Sequence, residues 1–213
     1  MAIFRTILHS FAAFLFVSAF ITFPAPANGT VGYREGQLLI ASPNIADPRF
    51  AHAVIYMVYH DKSGALGLMI NRGLGSGPLA AFLKGFGINK PNAPNAPNAP
   101  NVKRDIRLLS GGPVEPGALF IIHSSDFKGA APLSLRNGIA VTRRIDALTA
   151  LARGNGPAKF LVILGYTGWG AGQLEEEIRN GYWVTAPAAK AIIFNRKLDS
   201  KWKRASEMAG VEL

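Results

Sequence analysis

Apolar and polar residues alternate in short blocks along most of this chain, and glycine, proline, asparagine or aspartate separates the blocks. Blocks rich in β-branched and aromatic residues predict strands at 37–42, 51–60, 65–70, 106–109, 118–124, 138–142, 160–164, 182–185 and 191–194. Blocks with apolar residues at helical spacing predict helices at 79–86, 144–153, 173–180 and 199–208. Strand pairs joined by short turns, with helices inserted between them, predict an α+β fold with a mainly antiparallel sheet.

The stretch from Phe160 to Pro187 contains the densest pattern in the sequence. An apolar run at 160–164 predicts a strand that is buried on both faces. Glycines follow at 165, 168, 170 and 172, and they lead into the predicted helix at 173–180. This order predicts a corner in which a strand turns sharply into a helix.

A glycine-rich loop before a helix is also typical of phosphate sites. The glycine spacing here matches neither a dinucleotide-binding fold nor a P-loop. Glu175, Glu176 and Glu177 lie at the start of the helix and would repel an anion. A structural corner is therefore favoured, with Trp169 packing over it or contributing to a partner surface.

The same stretch resembles the YqgE/AlgH family. A Gly-Tyr-x-Gly-Trp run at 165–169 leads into Gly-Gln-Leu-Glu-x-Glu-Ile at 172–178, as in that family. Upstream blocks similar to those of the family occur in the same order at 36–43, 47–50, 64–72 and 111–114. The resemblance implies a flattened, barrel-like sheet surrounded by helices. The family's AlgH label implies a transcriptional regulator.

Composition is that of a globular protein, with 49% hydrophobic and 17% charged residues in a chain of 213 residues. Lysine and arginine number 23 against 13 acidic residues, a net charge of +10, which favours attraction to polyanions or anionic membrane surfaces. The sequence contains no cysteine, and this excludes disulfides, thiol catalysis and cysteine-ligated metals.

The first 27 residues have the pattern of a secretory signal peptide. Arg5 precedes a mainly apolar segment at 7–23, and Ala25-Pro26-Ala27 matches a cleavage site. We therefore expect cleavage near Ala27 and export of a single domain, 28–213, to the periplasm or the exterior. An uncleaved membrane anchor is one alternative. A cytoplasmic protein, expected for most of the family, is the other if the start site is misassigned.

An Asn-Ala-Pro repeat occupies residues 91–101. It has no large apolar side chain to bury, and its prolines favour an extended chain. We expect a solvated loop within the domain.

The histidines do not form a recognisable site in the sequence. His52 and His60 are eight residues apart on one predicted strand, about 26 Å at the rise of a β-strand, so they cannot share a metal. The segment His123-Ser124-Ser125-Asp126 contains the residue types of a nucleophilic triad. Adjacent strand residues face opposite sides, however, so a structural histidine is favoured. No catalytic residue, metal or cofactor is assigned.

Residues of the blocks that resemble the family form a candidate surface for a ligand or partner. Asn71 and Arg72 follow a predicted strand and would either bind an anion or tie down a turn. Glu177 is assigned only a favourable interaction with the helix dipole. The complete candidate surface is Asn71, Arg72, Gly112, Pro113, Tyr166, Trp169, Gln173 and Glu177.

Three interpretations of function remain open. The favoured one is a non-enzymatic accessory or regulatory protein that binds a protein partner or a small ligand. The second is a hydrolase with its site near the 165–173 loop. The third is an envelope-surface module that contacts anionic surfaces through Lys197, Lys201 and Arg204 on one helical face. Direct DNA binding is not expected, because helix-turn-helix and zinc-finger signatures are absent from the sequence.

Overall fold

The computed structural model describes residues 32–87, 104–129, 131–143 and 145–211. The predicted signal peptide and the Asn-Ala-Pro repeat lie outside these residues. The strands are β1 (Gln37–Ala41), β2 (Val54–Asp61), β3 (Gly64–Met69), β4 (Gly73–Pro78), β5 (Asp105–Ser110), β6 (Val114–Ser124), β7 (Ser134–Arg136), β8 (Ile139–Thr142), β9 (Phe160–Gly170) and β10 (Trp183–Pro187). The helices are α1 (Leu79–Gly85), α2 (Asp146–Ala152), α3 (Gln173–Arg179), α4 (Lys190–Ile193) and α5 (Ser200–Met208).

The ten described strands form one sheet. Its main path runs β10-β1-β2-β3-β9-β6-β8-β7, and β5 joins β9 while pairing with β4. Every pairing is antiparallel except that of β5 with β9. The predicted α+β fold with a mainly antiparallel sheet is confirmed, and the described sheet is not closed into a barrel.

Both faces of the central strands are buried. On β1, Leu38 and Ile40 pack into one apolar cluster together with Ile193 of α4 and Ala205 of α5. Their neighbours on β1 face the opposite side, where Leu39 and Ala41 pack with the side chains of Trp169, Leu174 and Trp183. Helices α1 and α2 cover a third cluster built around β5, β6 and β9. Two-sided burial explains why these strands read as unbroken apolar runs.

Strand β9 is longer than predicted. The glycines after Leu164 do not end it, because Gly168 and Gly170 pair with Leu66 and Gly64 of β3. A side chain at 64 would lie 2.3 Å from the carbonyl oxygen of Trp169, so the two strands approach closely only because glycine is present there.

Two other segments also differ from their predictions. The predicted strand at 191–194 is the short helix α4, whose Ile192 and Ile193 are buried. A short apolar run fits either structure, and only its burial against α5 decides. Residues 73–78, for which no strand was predicted, pair with β5 as the exposed strand β4.

The predicted basic face of Lys197, Lys201 and Arg204 is wrong for Lys201 of α5. Its side chain is fully buried, and its Nζ donates hydrogen bonds to the carbonyl oxygens of Ile70 (2.8 Å) and Ile193 (2.6 Å). Burial, and secondly the positive charge of Arg107, lower the pKa of this amine to about 7. Lys201 therefore cannot contact an anionic surface together with Lys197 and Arg204, which are exposed. No helix among the described residues is both long and apolar enough to cross a bilayer.

Candidate functional site

Strands β9 and β10 and the helix α3 between them bring two tryptophans to one carboxylate. Gly172, in the left-handed region at φ 75°, turns the chain from β9 into α3. The Nε1 atoms of Trp169 and Trp183 donate hydrogen bonds of 2.8 and 2.7 Å to the same oxygen, Oε2 of Glu177. The two indole rings meet edge to face, with their centroids 6.0 Å apart. The carboxylate therefore fixes both rings.

Gln173 completes this cluster. Its Nε2 donates a hydrogen bond of 2.9 Å to the other carboxylate oxygen of Glu177, and its Oε1 accepts one of 3.0 Å from the backbone N–H of Gly170. Glu177 thus accepts three hydrogen bonds while the helix dipole acts on it only secondarily. The sequence, from which only a dipole interaction was assigned, underestimates the contribution of Glu177, because it does not show which groups a partly buried glutamate contacts.

A cavity of about 360 Å³ opens beside this cluster. Helix α3 and strand β9 form one wall, and the segment from Ile45 to Phe50 forms the facing wall. Four of the predicted surface residues line the cavity: Pro113, Trp169, Gln173 and Glu177. The volume lies within the range of small-molecule sites in proteins, and the wall combines aromatic rings with a few polar groups, as such sites do.

The facing wall was not predicted as part of the surface. Phe50 packs edge to face on Trp183, with ring centroids 5.8 Å apart. At the rim, Arg49 and Asp47 form an ion pair of 2.6 Å. Hydrogen bonds from the Arg49 side chain and backbone hold the pKa of Asp47 below its usual value. Asp47, Pro48 and Phe50 belong to the 47–50 block that resembles the family, but nothing in that block indicates contact with the tryptophans.

The remaining predicted surface residues lie outside the cavity. Asn71 accepts a hydrogen bond from the N–H of Val54 (2.9 Å) and donates one to the carbonyl of His52 (2.8 Å), and Arg72 donates to the carbonyl of Ala51. These bonds tie down the start of β2, as the structural alternative for Asn71 and Arg72 proposed.

Gly112 and Tyr166 form a tight strand contact near the cavity. A side chain at Gly112 would lie 2.4 Å from the carbonyl oxygen of Tyr166. The Tyr166 hydroxyl donates a hydrogen bond of 3.2 Å to Glu115. Both residues therefore stabilise the packing of the segment before β6, which contains Pro113, against β9, which contains Trp169.

The histidines are used structurally. His60 Nδ1 accepts from the backbone N–H of Arg34 (3.0 Å), so its Nε2 carries the proton and donates to Glu175 (3.0 Å). His123 is buried, and its Nδ1 donates to the carbonyl of Ser124 (2.9 Å). The Ser124 hydroxyl is bonded to the backbone of Lys159, so no triad is assembled. Within the described residues, no three histidine or acidic side chains cluster as metal ligands would.

Comparison with known proteins identifies relatives of this chain. A family model described as AlgH-like matches residues 38–213. Two similar proteins are UPF0301 proteins: one of Methylococcus capsulatus, 41% identical over 84% of this chain and 93% of its own, and one of Afipia carboxidovorans, 40% identical over 89% of each.

Solved structures agree with this result. The solution structure of the AlgH protein from Pseudomonas aeruginosa superposes with a TM-score of 0.67 at 37% identity, over 87% of this chain and 93% of that one. A crystal structure of a Corynebacterium diphtheriae protein, at 21% identity and a TM-score of 0.53 over 74% of this chain and 78% of that one, shares the fold alone. The chain therefore belongs to the AlgH-like family.

Proposed function

We propose that this chain is a non-enzymatic accessory or regulatory protein that binds its partner through the cavity beside Trp169 and Trp183. The observation that carries the proposal is the shared carboxylate of Glu177, which holds both indole rings in place before any ligand arrives. A wall fixed in advance lowers the entropic cost of binding. An aromatic or aliphatic group of a small ligand, or one side chain of a protein partner, fits such a wall.

Binding is favoured over hydrolysis by the state of the polar groups. Glu177 accepts hydrogen bonds from Trp169, Trp183 and Gln173, so three of the roughly four acceptor positions of its carboxylate are already used. A general base needs a free lone pair within reach of the substrate proton. The rim carboxylate of Asp47 is likewise engaged by Arg49. This wall therefore offers contact surface in preference to a reactive group.

A cavity-filling substitution tests the proposal. Ala46 is exposed at the cavity, so Ala46→Trp should fill the cavity without removing a core contact. Ala81→Trp is the matched control, since Ala81 is exposed on α1 and does not line the cavity. Proteins and metabolites captured by the wild-type chain from its native compartment are compared with those captured by each variant.

We expect a partner that the wild type and Ala81→Trp retain and Ala46→Trp loses. Equal capture by all three proteins would refute the cavity as the binding site. Turnover of model ester or phosphoester substrates that Ala46→Trp abolishes would replace the proposal with a hydrolase.

A further inference from the structure

A second cavity, of about 500 Å³, lies on a different part of the protein and has a different character. Strand β5, the start of β9 and the segment after α4 form its walls. Four cationic side chains line it: Arg104, Arg107, Lys159 and Arg196. Asp105 is the one acidic residue among its described lining residues. The cleft therefore carries a formal charge of about +3 at neutral pH.

These four cations remain unpaired within the part of the chain that the structure describes. Among the described residues, none of the four forms an ion pair, whereas Arg49, Arg136 and Arg143 elsewhere each have a carboxylate within 4 Å. Like charges gathered in one cleft repel one another and focus a positive potential there. The lowered pKa of the buried Lys201, to which the charge of Arg107 contributes, is consistent with that potential.

Two of the four cations are held in position. Arg107 donates a hydrogen bond of 2.6 Å from Nη1 to the backbone carbonyl of Arg196, which ties the segment after α4 to β5. The Arg104 guanidinium lies over the ring of Phe160, 5.0 Å from its centroid. Two of the four charges are thus set in position before a ligand binds, which reduces the cost of ordering them.

The rest of the wall is apolar. Ile106, Leu109, Leu161 and Phe194 also line the cleft. Guanidinium and ammonium groups recognise phosphate oxygens, and an apolar wall accommodates a base or another flat organic group. A single carboxylate, Asp105, is available to accept hydrogen bonds from hydroxyl or amino groups.

We infer that this cleft binds a nucleoside polyphosphate. The charge calls for a ligand with several negative charges, and the apolar wall calls for one with an organic group attached. The volume is that of a small-molecule site, whereas a nucleic acid backbone would need a longer basic track and would leave the apolar wall unused. This inference concerns a site separate from the cavity at Trp169 and stands independently of the proposed function.

Isothermal titration of the full chain with ATP, in low-salt buffer without magnesium, tests the inference. We expect a Kd below about 1 mM, together with weaker binding of adenosine and of inorganic tripolyphosphate, each of which offers only half of the required chemistry. Lys159→Gln combined with Arg196→Gln should weaken ATP binding at least tenfold. Both side chains are exposed, so thermal unfolding should show that this variant keeps its fold.

Lys62→Gln is the matched control, because Lys62 is an exposed cation outside the cleft, and it should bind ATP as the wild type does. The inference is overturned if ATP does not bind, or if Lys62→Gln loses as much affinity as the double variant. It is also overturned if tripolyphosphate or duplex DNA binds as tightly as ATP, since either result would indicate general attraction of polyanions.

Discussion

The buried amine of Lys201 should make the stability of this protein rise with pH above neutrality. Its pKa is about 7 in the folded protein, lowered chiefly by burial, against an ordinary value of 10.5. Between these two values the unfolded chain binds a proton that the folded chain does not. The free energy of unfolding therefore increases as pH rises through this window.

The magnitude follows from the two pKa values. Each proton of difference changes the free energy of unfolding by about 1.4 kcal/mol per pH unit, so raising the pH from about 7.5 to about 9.5 should stabilise the protein by about 2.5 kcal/mol. The upper limit avoids the titration of Tyr56, whose pKa burial raises to about 12 in the folded protein.

Urea unfolding at a series of pH values measures this effect, and Lys201→Met is the matched variant. Methionine keeps most of the length of the side chain but cannot titrate, so its stability should be nearly independent of pH in this window. The carbonyls of Ile70 and Ile193 lose their donor in the variant, so it will be less stable overall, and only the slope is compared. A flat profile for the wild type, or equal slopes for both proteins, would refute the reasoning.

Three further predictions concern the tryptophan cluster and the N-terminus. Glu177→Gln should lower the free energy of unfolding by about 1 to 3 kcal/mol, because it weakens charge-assisted bonds to Trp169 and Trp183. Glu176→Gln, on the exposed face of the same helix, should lower it by less than about 1 kcal/mol. Equal losses for the two variants in urea unfolding would contradict the stabilising role of Glu177. Trp169→Ala should cost about 3 to 5 kcal/mol, since the ring is only 7% exposed, and an unchanged unfolding midpoint would show that the ring is dispensable to the fold. N-terminal sequencing of fractionated native protein should find a start near Asn28 outside the cytoplasm, and an intact Met1 in the cytosol would refute export.

The sequence predicted the elements whose burial leaves a periodic pattern. Helix α3 and strand β10 were located to within a residue or two, because the glycines and Asn180 mark their ends. Because the first half of β9 is buried on both faces, its unbroken apolar run predicted a strand. Its extension through Gly170 was not predicted, because glycine serves equally well in a turn and in a closely approached strand.

The candidate site was predicted in part for a similar reason. Trp169, Gln173 and Glu177 lie within nine residues of one another, so a local motif identifies them together. Phe50, between β1 and β2, and Trp183, on β10, join them only through tertiary packing, and no local spacing indicates that contact. Lys201 shows the converse error. Charge at helical spacing predicts a solvated face, and only tertiary packing shows that one of these lysines points inward.

The sharing of one glutamate oxygen by two indoles has a consequence for how this corner evolves. Replacement of either Trp169 or Trp183 leaves the remaining partners with an acceptor arranged for two donors, and replacement of Glu177 leaves two buried donors without their acceptor. The effects of such replacements on the free energy of unfolding are not additive, so the three positions are energetically coupled. Exchanging this arrangement for another one substitution at a time passes through less stable proteins, so we expect these three positions to change together or not at all.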